Sequence, residues 1–179
     1  DNPALRGKPV VVGGSPEGRG VVASASYEAR RYGIRSAMPM YTALQRCPRA
    51  IRVPPRFDRY GEVSRQVMVI FREIAELVEP LSLDEAYMGV TAAVTASNTP
   101  EDIAAHLRAR VRRELGLTIS VGVSTSKSVA KIASDLDKPD GLTVVPPGSE
   151  RRFLAPLPVD KLWGIGPKTA ERLAAEGIR

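Results

Sequence analysis

The sequence predicts an α+β fold in which helices cover an antiparallel or mixed sheet. Two long segments place apolar residues at helical spacing, and several short segments alternate apolar and polar residues as strands do. Between residues 57 and 145 the two patterns follow each other in turn along the chain. At 179 residues the chain is long enough to bury the core of one or two domains.

The N-terminal part of the chain predicts two strands and two short helices. The strands lie at residues 9–13 and 20–26, the helices at 27–32 and 40–47, and a break at 52–56. A Gly/Pro-rich turn joins the strands, and Gly33 ends the first helix. Prolines lie at the start of the second helix and directly after it, where they favour a boundary.

The most regular helix is predicted over residues 57–78, where six apolar residues keep helical spacing. They are Val63, Val67, Ile70, Ile74, Leu77 and Val78. A strand with the sequence Asp-Glu-Ala follows, and then a helix with a basic outer face, defined by Ile103, Leu107, Val111 and Leu115. A strand at 118–124, a helix at 126–136 and a strand at 142–145 complete this part, and a Pro-rich joint separates it from a C-terminal segment.

An adjacent acidic pair, Asp84-Glu85, interrupts the apolar and extended run PLSLDEAYMGV at residues 80–90. Acidic residues are depleted from strands, and successive strand side chains point to opposite faces. Carboxylate oxygens are the ligands that Mg²⁺ takes while it also binds substrate phosphates. The residues leave two interpretations open. One is a metal-binding pair, and the other is a tight turn between hairpin strands with both acids in solvent.

A second motif lies in the C-terminal segment, where residues 162–173 read LWGIGPKTAERL. Gly164 and Gly166 allow a tight turn and the close approach of a ligand, and a helix is predicted to begin near Pro167. The unpaired N–H groups at that helix start suit a phosphate, and Lys168 adds positive charge. The pattern indicates a helix-hairpin-helix that binds a DNA backbone, with an ordinary helical hairpin as the alternative.

Basic residues form a third group. Tyr27 and Arg30 lie three residues apart at a strand-to-helix junction, so they share a helix face, and Ser24 precedes them. Three lysines surround the helix at 126–136 and the turn after it, and they are Lys127, Lys131 and Lys138. Each lysine alone is typical of a solvated surface. A functional interpretation depends on all three groups occurring in one chain.

The composition favours a polyanionic partner, because 26 Lys and Arg against 20 Asp and Glu give a net charge of +6. The one cysteine, Cys47, excludes an internal disulfide and fits a reducing cytosol, so we expect a cytoplasmic protein. No apolar run approaches the roughly 18 residues of a membrane-spanning helix, so no membrane partner is expected. The chain opens without Met on DNPALRGKP, and we expect its natural N-terminus to lie upstream.

Four ordered segments resemble the Y-family translesion DNA polymerases, in particular their DinB-like branch. The segments are ASASYEARRYGIRSAMP, PLSLDEAYMGVT, VGVSTSKSVAKIASDLDKPDGL and LWGIGPKTAERL, and together they cover nearly the whole chain. The resemblance implies fingers at residues 1–55, a palm with a ferredoxin-like sheet at 56–146 and a partial thumb at 147–179. It also implies template-directed addition of deoxynucleotides to a primer end, past damaged template.

The resemblance assigns roles to individual residues. Asp84 and Glu85 would be catalytic ligands of two Mg²⁺ ions, with Mn²⁺ able to substitute. The residues that bind the deoxynucleoside triphosphate would be Tyr27, Arg30, Lys138 and Ser24. The residues that contact primer-template DNA would be Ser82, Lys131, Gly164, Gly166 and Lys168. A sliding clamp is implied as a further partner, bound through regions outside the chain.

Some features of that family are not in the chain. The family opens on a strand of the form D-x-D-A-F-F-A, which carries a further metal-binding Asp and the aromatic side chain that excludes ribonucleotides. A little-finger domain follows its thumb. We therefore expect the chain alone not to polymerise DNA. In the palm motif Tyr87 and Met88 replace an aromatic–Leu pair, and Gly89 replaces an Asp that is not a metal ligand.

Two other classes of function stay open on the sequence. A nucleotidyl cyclase also uses a two-metal palm, but it has no need of the helix-hairpin-helix or of the YEAR and KPDG segments. A non-catalytic DNA-binding module would account for the hairpin but not for the acidic pair. Nucleotide turnover without DNA would identify the cyclase, and weak binding of deoxynucleotides without primer-template is expected of the polymerase.

Overall fold

The structure is a computed structural model that describes residues 2–178. The chain forms two compact units, the first ending at Arg59 and the second beginning at Tyr60. Each unit combines helices with strands, so the α+β class predicted from the sequence is confirmed. The finer division into three parts, at residues 55/56 and 146/147, stays a prediction.

A three-stranded sheet forms the centre of the first unit. β1 (Val10–Gly13) pairs antiparallel with β2 (Val22–Ala25) and parallel with β3 (Ile51–Val53). α1 (Tyr27–Arg30) follows β2 directly, and α2 (Met40–Arg46) precedes β3. The buried core of this unit is apolar and consists of Val11, Val22, Ala25, Ala29, Ile34, Met40, Ala43 and Cys47. Since β2 and α1 both contribute to this core, packing fixes the junction between them.

The second unit begins with a helix, a β-hairpin and a second helix, which follow each other along the chain. α3 (Phe57–Ile74), most of which belongs to this unit, precedes β4 (Leu77–Pro80) and β5 (Ala86–Gly89), which pair antiparallel. α4 (Pro100–Leu115) follows and begins with a capping box, in which Thr99 and Asp102 exchange hydrogen bonds. The buried residues Met68, Ile70 and Phe71 of α3 pack with Leu107 and Val111 of α4. Val78, Ala86 and Met88 of the hairpin pack against them.

A parallel βαβ unit completes the body of the second unit. β6 (Val121–Val123) and β7 (Leu142–Val144) pair in parallel, and α5 (Lys127–Leu136) connects them. The hydroxyl of Ser126 caps α5 by accepting a hydrogen bond from the N–H of Val129 at 3.3 Å. The apolar face of α5 is buried, so its opposite face is the one that presents charged side chains.

The C-terminal part of the second unit is helical. It contains α6 (Glu150–Leu154), a 3₁₀ turn at Val159–Lys161 and α7 (Pro167–Ala175). Further 3₁₀ turns lie at Pro3–Leu5 and Thr91–Ala93. Across residues 2–178 no helix combines the length and apolar character needed to cross a membrane.

Three sequence predictions were wrong in detail. Leu77 and Val78, assigned to the long helix, begin β4, because they pair with β5 instead of continuing α3. The predicted break at 52–56 overlaps β3, which pairs with β1. Asp84 and Glu85 lie in the connection before β5 and not inside a strand, so their position is the turn between hairpin strands that the sequence offered as the alternative.

Candidate active site

The acidic pair lies in the loop of the β4–β5 hairpin. The last cross-strand partners are Pro80 and Ala86, so residues 81–85 form the connection. The N–H groups of Leu81 and Ser82 both donate to the carbonyl oxygen of Glu85, at 2.8 Å and 3.2 Å. These two hydrogen bonds close the loop tightly and fix the backbone from which both carboxylates project.

Ser82 orients the carboxylate of Asp84. Its hydroxyl donates to Asp84 Oδ1 at 2.7 Å and accepts from the Asp84 N–H at 3.3 Å. Such local side-chain bonds are the usual stabilisation of a Ser/Asp turn. Asp84 is exposed, so its carboxylate faces solvent where a ligand can reach it.

Glu85 is held by a lysine from α5. Lys131 Nζ lies 2.9 Å from Glu85 Oε1 and 3.0 Å from Asp135 Oδ2, one helical turn further along α5. Asp135 in turn contacts a second lysine, since its Oδ1 lies 2.6 Å from Lys138 Nζ. Four alternating charges therefore run in sequence from Glu85 through Lys131 and Asp135 to Lys138.

The titration of this network follows from its contacts. Burial, the largest effect on Lys131, favours its neutral form, but the hydrogen bonds to Glu85 and Asp135 outweigh burial and raise the pKa of Lys131. Burial likewise opposes ionisation of Asp135, yet its hydrogen bonds with Lys138 and Lys131 lower the pKa of that carboxyl. Both groups are thus held in their charged forms at neutral pH.

Two arginines of α4 fix the turn that carries Lys138. Arg108 Nη2 lies 3.2 Å from Asp140 Oδ1, and Arg112 Nη1 lies 2.7 Å from Asp140 Oδ2. Asp140 has a φ of 55°, a left-handed conformation that side-chain anchoring helps to maintain. The turn after α5 is therefore attached to α4 as well as to its own helix.

The hairpin loop offers oxygen ligands suited to a hard divalent cation. Asp84 supplies an exposed carboxylate, and Glu85 supplies one whose negative charge Lys131 already offsets. Within residues 2–178 no group of three or more His, Cys, Asp or Glu residues could hold a metal ion. The two carboxylates of the loop thus suit part of the oxygen ligand set of a hard divalent cation.

The first unit carries the predicted nucleotide contacts Ser24, Tyr27 and Arg30. The hydroxyl of Ser26 anchors their junction, since it accepts from the N–H groups of Val10 and Ala29 and donates to the Lys8 carbonyl. Arg30 Nε donates to the carbonyl of Ala25 at 3.0 Å, and its guanidinium lies 5.4 Å from the Tyr27 ring centroid. All three side chains are exposed.

The glycine motif forms a tight turn before α7. Gly164 has a φ of +88°, which favours glycine, whereas Gly166 is the N-cap of α7 at a φ of −85°. A Cβ at Gly166 would meet no protein atom within 4 Å, so the fold itself does not require glycine there. Lys168 lies exposed in the first turn of α7, and Trp163 is 74% exposed beside Gly164. The predicted helix before the turn is only the 3₁₀ turn at 159–161.

The structure brings some of the predicted site residues together. Ser82, Asp84, Glu85, Lys131 and Lys138 lie on the hairpin loop, on α5 and in the turn after it. Tyr27 and Arg30 contact each other in the first unit, and the glycine motif forms its own turn. Lys131 was predicted to contact DNA; its side chain is 12% exposed and directed at two carboxylates.

Sequence reasoning missed Asp135 and the Asp140 anchor. The spacing of Lys131 and Asp135, four residues apart on a predicted helix, was a signal that could have identified the first pair. The contacts of Asp140 with Arg108 and Arg112 join residues about thirty positions apart, and no local pattern indicates them.

Comparison with known families matches nearly the whole chain. Residues 1–135 match the impB/mucB/samB family, and residues 147–178 match the helix-hairpin-helix motif of the same family, described as the IMS family HHH motif. The DNA polymerase IV of Alkalilimnicola ehrlichii is 55% identical over 179 residues, and that of Pseudomonas aeruginosa PAO1 is 56% identical. These matches cover 100% of this chain but 50% and 51% of the relatives, so the chain spans about half their length.

Solved structures of similar chains agree with this match. The crystal structure of DinB from Sulfolobus solfataricus is 38% identical, with a TM-score of 0.93. The match covers 99% of this chain and 52% of the DinB chain. The insertion ternary complex of Dbh DNA polymerase is also 38% identical, with a TM-score of 0.90. The match covers 99% of this chain and 53% of the Dbh chain.

Proposed function

The chain belongs to the impB/mucB/samB family, and on that basis we propose that it is part of a template-directed DNA polymerase of the translesion type. The resemblance to Y-family polymerases predicted from the sequence is thereby confirmed. In this proposal the first unit contributes the fingers, the body of the second unit the palm, and its C-terminal hairpin the thumb. Deoxynucleotides are added to a primer 3′-end opposite a damaged template.

The observation that carries the proposal is the acidic hairpin loop beside a pair of lysines. Asp84 and Glu85 supply negative oxygens at one loop, while Lys131 and Lys138 lie within one hydrogen-bonded network with Glu85. Phosphoryl transfer needs positioning and neutralisation of phosphate charge more than it needs covalent chemistry from the protein. Juxtaposed carboxylates and ammonium groups suit that requirement.

The cofactor in this proposal is a pair of Mg²⁺ ions, with Mn²⁺ able to substitute, held in part by Asp84 and Glu85. When bound, the ions supply activation of the primer 3′-hydroxyl and neutralisation of the leaving pyrophosphate. Ser82 keeps Asp84 oriented through its hydroxyl, and it lies on the loop where the primer end is expected. The carbonyl oxygen of Glu85 accepts hydrogen bonds from two backbone N–H groups, and these bonds fix the backbone at Glu85.

The nucleotide is bound by cationic and hydroxyl groups. Tyr27 and Arg30 bind the triphosphate, with Ser24 beside them on β2, and Lys138 binds it from the turn after α5. The exposed Ala23 and Ser24 are small, which leaves space over a templating base and suits tolerance of damage. The hydroxyls of Tyr27 and Ser24 donate hydrogen bonds to phosphate oxygens, and Arg30 and Lys138 add positive charge.

Primer-template DNA is the macromolecular partner in the proposal. The turn at Gly164 and Gly166 and the N-terminus of α7, which carries Lys168, bind the sugar-phosphate backbone independently of the base sequence. Lys131 stays among the predicted DNA contacts, although its present partners are carboxylates. We further propose a sliding clamp as a partner of the full-length protein and the cytoplasm as its compartment.

Primer extension by the full-length protein tests the proposal. We expect extension with Mg²⁺ and all four deoxynucleotides on an undamaged template and on one that carries a damaged base. Release of a cyclic nucleotide without DNA would instead identify a cyclase. DNA binding without extension or nucleotide turnover would identify a non-catalytic module. Either outcome would overturn the polymerase assignment.

A further inference from the structure

A series of four alternating charges passes along α5, and one end of it is Glu85, a metal ligand in the proposed function. Glu85 belongs to the acidic loop, and Lys138 belongs to the turn that binds triphosphate. Lys131 and Asp135 connect them through contacts of 2.9, 3.0 and 2.6 Å. The proposed function gives Asp135 no role, and it gives Lys131 none that explains its contact with Glu85.

We propose that Lys131 is a positioning residue that takes the cation position at Glu85 until a divalent cation binds, and that Asp135 then retains it. This inference rests on the proposed function, since it needs Glu85 to be a metal ligand. It adds a coupling between the metal site and Lys138 that the ligand assignment alone does not contain.

The geometry makes Lys131 a competitor of the metal. Its ammonium nitrogen lies 2.9 Å from Glu85 Oε1, so a divalent cation at that carboxylate meets a like charge at close range. Without the metal, the ammonium holds Glu85 in place and offsets its repulsion with the neighbouring Asp84. The pair therefore holds the Glu85 side chain in place in the absence of metal, at the cost of weaker metal affinity.

Asp135 provides the second position for the ammonium. Lys131 Nζ already lies 3.0 Å from Asp135 Oδ2, so it can leave Glu85 through torsions of its flexible side chain and keep a charged partner. The Lys131 side chain is only 12% exposed, and an unpaired ammonium at such a position would be costly. Asp135 removes that cost.

Release of Lys131 from Glu85 then affects Lys138. The Asp135 carboxylate binds Lys138 through Oδ1, at 2.6 Å, while it binds Lys131 through Oδ2. Once Lys131 depends on Asp135 alone, the carboxylate shares its charge more strongly with Lys131 and holds Lys138 less strongly. Lys138, with 44% of its side chain exposed, becomes available to phosphate oxygens. Metal binding thus prepares nucleotide binding.

Mn²⁺ affinity of the full-length protein, measured by electron paramagnetic resonance without nucleotide or DNA, tests the inference. Lys131→Met should tighten Mn²⁺ binding about fivefold, the factor that corresponds to an ion pair of about 1 kcal/mol. Asp135→Asn should weaken it, because Lys131 then has Glu85 as its remaining acidic partner. Lys131→Arg keeps the charge and should keep the wild-type affinity.

Matched variants separate this role from a general effect of charge. Lys127→Met removes a positive charge one turn earlier on α5, from a lysine that contacts Glu79, and Asp137→Asn removes a negative charge two residues after Asp135. Both should change Mn²⁺ affinity less than twofold, as expected of exposed charges screened by salt. Equal effects of Lys127→Met and Lys131→Met would overturn the inference, as would an unchanged affinity in Lys131→Met.

The same titration separates failure of the inference from failure of the proposed function. Glu85→Gln and Asp84→Asn should each weaken Mn²⁺ binding. If they do and Lys131→Met does not tighten it, only the role of Lys131 is overturned. If neither acidic variant changes Mn²⁺ binding, the metal assignment fails and the inference fails with it. Should Lys131→Met lose its folded circular dichroism spectrum, Asp135→Asn decides, because a wild-type or tighter affinity there contradicts the retained-lysine role.

Discussion

Arg30 of the first unit and the lysines of α5 and of the turn after it differ in what they contact. Arg30 of the first unit donates to the carbonyl of Ala25 and lies against the Tyr27 ring, both uncharged groups. Lys131 and Lys138 of the second unit contact carboxylates, as does Lys127 with Glu79. A phosphate that arrives at Arg30 therefore adds a charged partner, whereas one that arrives at Lys138 replaces Asp135.

This difference affects how much each contact contributes to binding. A new charge-assisted hydrogen bond contributes its full net value, but an exchanged one contributes only the difference between two partners. The positive charge of Arg30 then contributes to nucleotide affinity, while the paired charges from Glu85 to Lys138 make nucleotide binding depend on the metal.

The largest effect is expected from the acidic loop. Asp84→Asn and Glu85→Gln should each lower primer extension on the order of 100-fold or more, because stabilisation of developing charge is removed while DNA contacts remain. DNA affinity should be nearly unchanged. Glu79→Gln is the matched control, since Glu79 is an exposed carboxylate on the same hairpin, and it should extend primers normally. Extension above a few per cent of wild type by both acidic variants would contradict the metal assignment.

The second effect compares the two units directly. Arg30→Ala should raise the apparent KM for the incoming nucleotide about tenfold, the factor for loss of one charge-assisted hydrogen bond. Tyr27→Ala should act in the same direction, because it removes the ring beneath the guanidinium. Lys138→Ala should raise KM less, since Lys138 must give up Asp135 to bind phosphate.

Single-turnover incorporation at varied nucleotide concentration measures these KM values. Arg31→Ala is the control, because Arg31 is exposed at the end of the same short helix and has no assigned contact with nucleotide. A larger KM change in Lys138→Ala than in Arg30→Ala would reverse the comparison. Unchanged KM in all three variants would make these residues part of the ordinary surface.

The third effect concerns the hairpin before α7, where two glycines differ. Gly166→Val should weaken DNA binding severalfold without loss of stability, because its Cβ meets no protein atom and blocks only a close ligand. Gly164→Ala should lower the free energy of unfolding by about 1 kcal/mol, because its φ of +88° strains any other residue. Affinity should fall steeply as salt rises, as expected for phosphate contacts.

Fluorescence of Trp163, the one tryptophan of the chain, and anisotropy of labelled DNA measure this effect. Unfolding in urea provides the stability of each variant. A flat salt response, or a strong preference for one base sequence, would contradict backbone binding. Equal stability losses in both glycine variants would show that Gly166 is required by the fold itself.

How far the sequence predicts the molecule depends on the range of the contacts involved. The starts of α4 and α5 were predictable, because Thr99 and Ser126 cap them through local hydrogen bonds. The end of α3 was not, since Leu77 and Val78 keep helical spacing but pair with Gly89 and Met88 across the hairpin. Tertiary pairing here overrides a local pattern.

The candidate site divides in the same way. The Asp-Glu pair stands out in an apolar run, and its position in a hairpin turn was one of the two readings that the residues left open. The contact between Glu85 and Lys131 joins residues on different elements, and no local pattern indicates it. Its discovery depends on the packing of α5 beside the hairpin loop.

The smallest effect is expected from the acid stability of the α5 network. Burial raises the pKa of Asp135, but its hydrogen bonds with Lys138 and Lys131 lower it further than burial raises it, so the folded pKa lies below the ordinary value of 3.8. Such a group stabilises the fold above its unfolded pKa, and that stabilisation is lost as the pH falls through the folded pKa.

Asp135→Asn should therefore lower the free energy of unfolding by about 0.5 kcal/mol near neutral pH. The figure is modest because the Asp135 side chain is partly exposed. The difference from wild type should vanish in strong acid, and urea unfolding from neutral pH down to about pH 2 measures it. Asp137→Asn, which changes the C-cap residue of the same helix from an acid to its amide, is the matched control variant. A stability loss in Asp135→Asn that stays constant down to strong acid would show that packing, and not the charge shared with the two lysines, accounts for it.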